Sequence, residues 1–373
     1  MKTRLVFTWI LISAVAVITA SKAGERTQSY PAQKGGTLQV LVACGAVNVK
    51  GWEKEEVFVT ISSLNEEQLK HVTFSQGGGK VLVEFKWEKR NIEDMRFDIN
   101  VPSTFNVDIR TGGGDLALLS PLSGDLKGST AGGSITLGTL GGTIRMDTGG
   151  GNVSGEDING DLAVRTAGGD IKFKNLSGSG EISTAGGSVT VESAARSLRV
   201  STAGGNIQVG KGNQEVQLST AGGNIKVGSI QGKASMNTAG GSISLSSGRG
   251  TIQASTSAGS VNLEKVEGSV SARSAAGNVS VALDPSIGES SSLATSAGNI
   301  VLKIAESCRA TIHMRTRGPA MSDEDEVFFR SDYPLVRSEG SKSRGEGEVI
   351  LNGGGHTISL ETMMGTIEIK KAK

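Results

Sequence analysis

Residues with chemistry to offer are few in this chain. Within the repeats the densest acidic group is Glu156, Asp157 and Asp161, with Asp147 and Asp170 one coil away on either side. Carboxylates at that density can hold a hard cation or accept from sugar hydroxyls, and the plainer alternative is a solvated corner. His71, His313 and His356 stand too far apart in the chain to draw a three-ligand zinc set. Cys44 and Cys308 are separated by most of the chain. A disulfide needs α-carbons within ~7 Å, so two thiols are expected, with an intermolecular bridge as the alternative in an oxidising compartment. The glycine runs are followed by no Lys-Ser/Thr and open no helix, so they do not cradle phosphate. A calcium β-roll needs an aspartate in every turn, whereas the residue after the glycine pair is Asp only at Asp115 and Asp170 and otherwise Asn or Ser. No catalytic, cofactor or metal residue is therefore assigned. What remains is a polar or cation-binding patch at Asp147, Glu156, Asp157, Asp161 and Asp170.

The elements that position these side chains follow from composition and period. The chain has 373 residues, 54 of them glycine, with only 4% aromatics. Glycine at about twice its usual share of ~7%, without a Gly-X-Y period, fits neither collagen nor simple disorder. Lys2 and Arg4 precede an apolar run from Leu5 to Ala20, and Ser21-Lys22-Ala23 supplies small residues at the positions a signal peptidase reads. Residues 1–23 are therefore expected to be a cleaved secretory signal, cut after Ala23 or Ala20, with no transmembrane segment left afterwards. That run is short for a membrane span, and no cysteine stands at the cut to take a lipid. The formal net charge is +1, too balanced for a nucleic-acid footprint.

The strongest signal is a repeat. The motif Thr-(Ala/Gly)-Gly-Gly-(Asp/Asn/Ser)-(Ile/Val/Leu) begins at Thr111, Thr130, Thr148, Thr166, Thr184, Thr202, Thr220 and Thr238, and continues in worn form at Thr256, Ser274 and Thr295. The first interval is 19 residues, the next eight are 18 and the last is 21. A fixed period of this length marks a solenoid. Within one period the apolar residues step by two, the period of a strand: Ile207 and Val209 follow the glycines, and Leu198 and Val200 precede the threonine. A third apolar row holds Leu140, Ile158, Leu176, Ile230 and Val266. One such coil buries nothing alone, but coils stacked at ~4.8 Å make a continuous narrow core. The glycine corners require either positive φ or close backbone approach, and the threonine row is expected to stack as an inward ladder. The steps of two, two and five depart from the strict six-residue spacing of left-handed hexapeptide helices, which favours a right-handed or irregular coil.

The expected fold is thus all-β: a parallel β-helix, or β-solenoid, of 18-residue coils preceded by a small β-rich N-terminal domain. Its parts are the signal 1–23, a capping region 24–110, regular coils over 111–304 (about eleven turns), a loop or projecting insertion at 305–350, and a closing coil and C-terminus at 351–373. Asn65 to Lys70 reads as one helical turn and residues 88–96 as a loop or short helix. Pro319, the acidic run Asp323-Glu324-Asp325-Glu326 and Phe328-Phe329 break the repeat. The outward positions are mainly small and polar: Ser134, Thr136, Thr190, Gln208, Gln217, Ser235, Ser244, Gln253, Asn262, Ser271 and Ser280.

Four stretches carry a family likeness: Gly45-Ala46-Val47-Asn48-Val49-Lys50-Gly51-Trp52, Val101-Pro102 leading through Val107 into Thr111-Gly112-Gly113-Gly114-Asp115, the TAGG repeats, and the closing NGGG, ISLET and GTIEI. In these, over about residues 35–370, the chain resembles the bacterial putative-adhesin family of β-strand repeat proteins, a domain of unknown function of parallel β-helix type. The resemblance implies an exported β-helix at the surface or envelope and no established reaction. Together with the polar outer rows it points to a non-enzymatic adhesin or envelope scaffold, located in the periplasm, at the cell surface or in the medium. Its partner would be an envelope glycan or envelope protein, bound by many weak contacts. The alternative is a polysaccharide-active β-helix enzyme, a lyase or hydrolase, with the acidic loop at 323–326 as one wall of a cleft.

Overall fold

The structure, a computed structural model, describes residues 25–62, 65–87, 95–285, 289–317, 329–341 and 344–372. The expected signal, residues 88–94, Pro319, the acidic run 323–326 and Phe328 lie outside the described residues. Two compact units are present, one up to Ala131 and one from Gly132 onward. The molecule is nearly all β, with a single short helix among the described residues.

The first unit already pairs strands in parallel before the repeat begins. Thr37–Val42 lies between Lys80–Phe85 and Asn106–Thr111, and Ala46–Trp52 lies between Arg96–Pro102 and Leu116–Leu119. Antiparallel neighbours extend these sheets: Val72–Gly77 on Lys80–Phe85, and Glu56–Ser62 between Arg96–Pro102 and Glu25–Pro31. Phe85, Phe97 and Phe105 are fully buried here, so bulky rings fill a core that lacks the repeat's regular rows. The helical turn forms at Glu66–Leu69, where Asn65 and Gln68 cap each other's backbone N–H through side-chain bonds of 2.9 Å.

The second unit is a β-solenoid of stacked parallel coils. Ile207–Thr220, Ile225–Thr238, Ile243–Thr256 and Val261–Ser274 are in register at 18 residues per turn, so Ile207 lies beside Ile225 and Thr220 beside Thr238. Because side chains alternate across a strand, the three apolar rows read from the sequence all point inward and are buried. Size is balanced between adjacent coils: a Cβ on inward Gly155 would stand 2.3 Å from the Phe173 ring on the next coil, so the ring fills the glycine's space.

The corners explain the motif residue by residue. In Thr-Ala-Gly-Gly the second glycine is needed for close approach: a Cβ on Gly187 would lie 2.0 Å from the Gly169 carbonyl oxygen of the coil before. The threonines are buried at 4–7% exposure. Thr202 Oγ1 donates to Gly187 O (2.9 Å) and accepts from Gly205 N–H (3.2 Å), and the same pair of bonds recurs from Thr166 to Ser274. The Asn, Asp or Ser that follows accepts, through its side-chain oxygen, the backbone N–H of its counterpart one coil on. That ladder runs through Asn152, Asp170, Ser188, Asn206, Asn224, Ser242, Ser260 and Asn278 to Asn299. An oxygen-bearing side chain there is thus held by the neighbouring coil. From Gly151 to Gly298 positive φ belongs to another corner, at Gly232, Gly250 and Gly268, with Gln214 (φ 60°) in the same column; the motif corner takes positive φ at Gly114 (φ 110°) and Gly365 (φ 141°).

The chain after Ile304 does not simply run on to a last coil. His356–Met364 pairs with Ser291–Ala297 on one side and with Ala310–Arg317 on the other, both in parallel. Ala310–Arg317 in turn pairs antiparallel with Arg344–Leu351, and that strand with Arg337–Ser341. The described parts of 305–350 therefore continue the sheet beyond the strand that resumes the repeat. Phe329 and Tyr333 are buried in this region, and Tyr333 Oη donates to Ile304 O at 2.8 Å.

Candidate functional site

In each coil the strand that ends at the buried threonine exposes one residue between its two inward apolar ones. The 18-residue register lines these up as a single outward column: Arg145, Ala163, Glu181, Arg199 and Gln217, then Ser235, Gln253 and Ser271. Across the first five of these coils runs a shallow groove of about 440 Å³. Ala163 is short beside Arg145 and Glu181, and this opens the hollow.

The polar groups of the groove divide into engaged and unengaged. Asp161 Oδ1 accepts the Ser179 N–H at 2.9 Å, and Ser197 Oγ donates to Ser179 Oγ at 3.0 Å. Glu181 meets Arg165 at 3.2 Å, and Glu215 accepts from Gln217 Nε2 at 2.8 Å. Arg145 and Arg199 have no ion-pair or hydrogen-bond partner among the described residues. The charged donors left over in this groove are thus two guanidinium groups, each with five N–H donors in a fixed fork.

The acidic patch read from the sequence is spread over different sides of the coil. Asp147 is exposed on the groove side, two residues along the strand from Arg145, and Asp161 lines the groove. Glu156 instead pairs with Lys174, and its carboxylate holds that ammonium above its ordinary pKa. Asp157 accepts from Asn175 Nδ2 at 2.6 Å, and Asp170 is a member of the corner ladder, accepting Ser188 N–H at 2.7 Å. No group of three or more His, Cys, Asp or Glu placed to hold a metal occurs among the described residues.

The same outward column continues from Ser271 through Ser292 and Ser359 to His313, Glu348 and Arg337. A second hollow, about 340 Å³, lies there. Its polar side chains are engaged: His313 Nδ1 is 3.3 Å from Glu348, Arg315 Nε is 3.6 Å from Glu346, and Arg317 Nε is 3.7 Å from Glu361. His71 packs edge-on against Trp87 in the first unit, at 5.1 Å. Cys44 and Cys308 are both free thiols, and burial pushes both pKa values up.

Sequence reasoning singled out Gln217, Ser235, Gln253 and Ser271 as outward and passed over Arg145, Glu181 and Arg199 in the same row. The signal was present, since these positions fall at steps of 18 from one another.

No curated protein matches the chain. Solved structures to which it is similar include a putative adhesin from Bacteroides fragilis, at 13% identity over 93% of this chain and 97% of that one with a TM-score of 0.28. Another is a putative adhesin from Parabacteroides distasonis, at 11% identity over 76% and 98% with a TM-score of 0.31. A putative lipid binding protein from the same species matches at 14% identity over 94% and 97%, with a TM-score of 0.22. At such TM-scores these likenesses carry no functional argument. Residues 192–370 match the Toastrack DUF4097 family, beginning within the coils that form the groove.

Proposed function

We propose that this protein is an exported, non-enzymatic, adhesin-like solenoid that binds or scaffolds at the cell envelope through its outward polar face. The observation that carries this reading is the in-register outward column, which sets Arg145, Ala163, Glu181, Arg199 and Gln217 in line at one-strand spacing and hosts an open groove crossing five coils. Such a surface suits a long ligand lying along many equivalent rungs, where each contact is weak and their number supplies affinity. Catalysis by contrast needs an acid and a base within reach of one reacting bond, and the carboxylates of the groove are already held by Ser179 N–H, Arg165 and Gln217. Export rests on the Lys2 to Ala23 segment, and the setting is the periplasm, the cell surface or the medium.

The test is to incubate the mature protein with fractionated envelope polymers and to measure both retention and polymer length. Saturable retention with unchanged length is expected. Shortening of the polymer would replace this reading with the enzyme, and retention no better than that of an unrelated solenoid would remove the binding role.

A further inference from the structure

The groove's own chemistry narrows the ligand, on the reading that this outward face binds. Two features of it pull in opposite directions. The unengaged groups are the cations Arg145 and Arg199, which ask for anions. Between and beside them stand Asp161, Glu181 and Glu215, which repel a ligand carrying charge along its whole length. Arg145 and Arg199 are three rungs apart in register, through Ala163 and Glu181, which sets their backbones ~14 Å from each other. A ligand that satisfies all of these groups has anionic groups at wide intervals, joined by neutral units whose hydroxyls donate to the intervening carboxylates and exchange hydrogen bonds with Ser179 and Ser197.

We infer that the groove from Arg145 to Gln217 binds a linear polysaccharide bearing spaced carboxylates, with uronate units separated by neutral sugars. Each guanidinium takes one uronate carboxylate through paired N–H donors, and Ala163 leaves room for the sugar ring that spans the interval. One uronate alone reaches only one arginine. Affinity therefore depends on chain length, because the second contact becomes intramolecular once the first is made.

The experiment is calorimetric titration of the whole mature chain with hyaluronate oligomers of increasing length, beside glucuronate, dextran and polyphosphate. Long hyaluronate oligomers are expected to bind at least ~10-fold more tightly than glucuronate, and to weaken as salt rises. Arg145→Ala/Arg199→Ala is expected to lose at least ~10-fold in affinity at an unchanged melting temperature. Arg315→Ala, at the paired end of the same face, is expected to leave binding unchanged. Polyphosphate binding as tightly as hyaluronate would overturn the assignment, as would binding that survives the double substitution. Dextran binding equal to that of hyaluronate would overturn it too, while leaving the adhesin-like reading standing. Binding of none of the polymers tested would overturn the assignment, and the envelope-fraction assay then decides the broader reading on its own.

Discussion

The regular coils and the C-terminal hairpin region share one outward column but hold themselves together differently. In the coils, order is enforced from inside and at the corners: a glycine that admits the neighbouring backbone, a buried threonine that joins two coils, and an Asn, Asp or Ser rung. That scheme makes no use of Arg145 and Arg199 in the outward column, and both stand unengaged. In the hairpin region the 18-residue register is gone, two aromatic side chains fill the core, and the outward Arg315 and Arg317 pair with glutamates. A face becomes available for binding where the stability of the coil lies elsewhere.

Breaking the corner should give the largest effect. Gly187→Ala places a methyl 2.0 Å from the Gly169 carbonyl oxygen, so coils must part, at an expected cost of ~3 kcal/mol or more. Gly186→Ala, one residue away, meets nothing nearer than 3.7 Å and should stay within ~1 kcal/mol of the unsubstituted chain. Chemical denaturation of the pair reads the difference directly, and equal losses would show that close approach is not what the motif secures. Next comes Thr202→Val, which leaves Gly187 O and Gly205 N–H without their buried partner. A loss of ~2 kcal/mol is expected, largely restored by Thr202→Ser.

The hairpin region should respond to its own devices. Tyr333→Phe removes the donor to Ile304 O and should cost ~1 kcal/mol. Burial, then the nearby Glu306 carboxylate, holds the Tyr333 phenol above its ordinary value. The neutral phenol is therefore favoured in the fold. Its stabilisation is complete below pH ~10 and is lost as pH rises through the higher folded value. The Phe variant should show a correspondingly flatter alkaline decline in melting temperature. Arg315→Ala breaks a half-exposed pair with Glu346, for which less than ~1 kcal/mol is expected. Smallest of all, Arg199→Ala should change stability by no more than ~0.5 kcal/mol, and a larger loss would mean that the outward face is structural after all.

Much of the coil was legible in the sequence because its period is fixed. Steps of two located the inward rows, and the TAGG motif located the corners. What escaped was whatever depends on which atom a neighbouring coil presents. Sequence left positive φ and close approach as equal reasons for the glycine pair; at Gly187 the Gly169 oxygen makes it close approach, and at Gly114 both apply. Nothing in the sequence marks the partner of the Asn, Asp and Ser rungs, which lies 18 positions away in the regular coils and 21 at Asn278. His356–Met364 reads as a closing coil because its motif matches, and it nevertheless lies between Ser291–Ala297 and Ala310–Arg317. A strand inserted out of chain order leaves no mark on a periodicity. Arg145 and Arg199 were hidden for a simpler reason: each is ordinary alone, and only the column shows that they flank Ala163 and Glu181.

Hydrogen–deuterium exchange of the mature chain, with and without a saturating hyaluronate oligomer, tests most directly the contrast between a free outward face and a paired one. Added protection should be confined to the strands that carry Arg145, Ala163, Glu181, Arg199 and Gln217, with none at Ala310–Arg317 or Arg344–Leu351. Protection centred on the hairpin strands, or spread evenly along the coils, would contradict it.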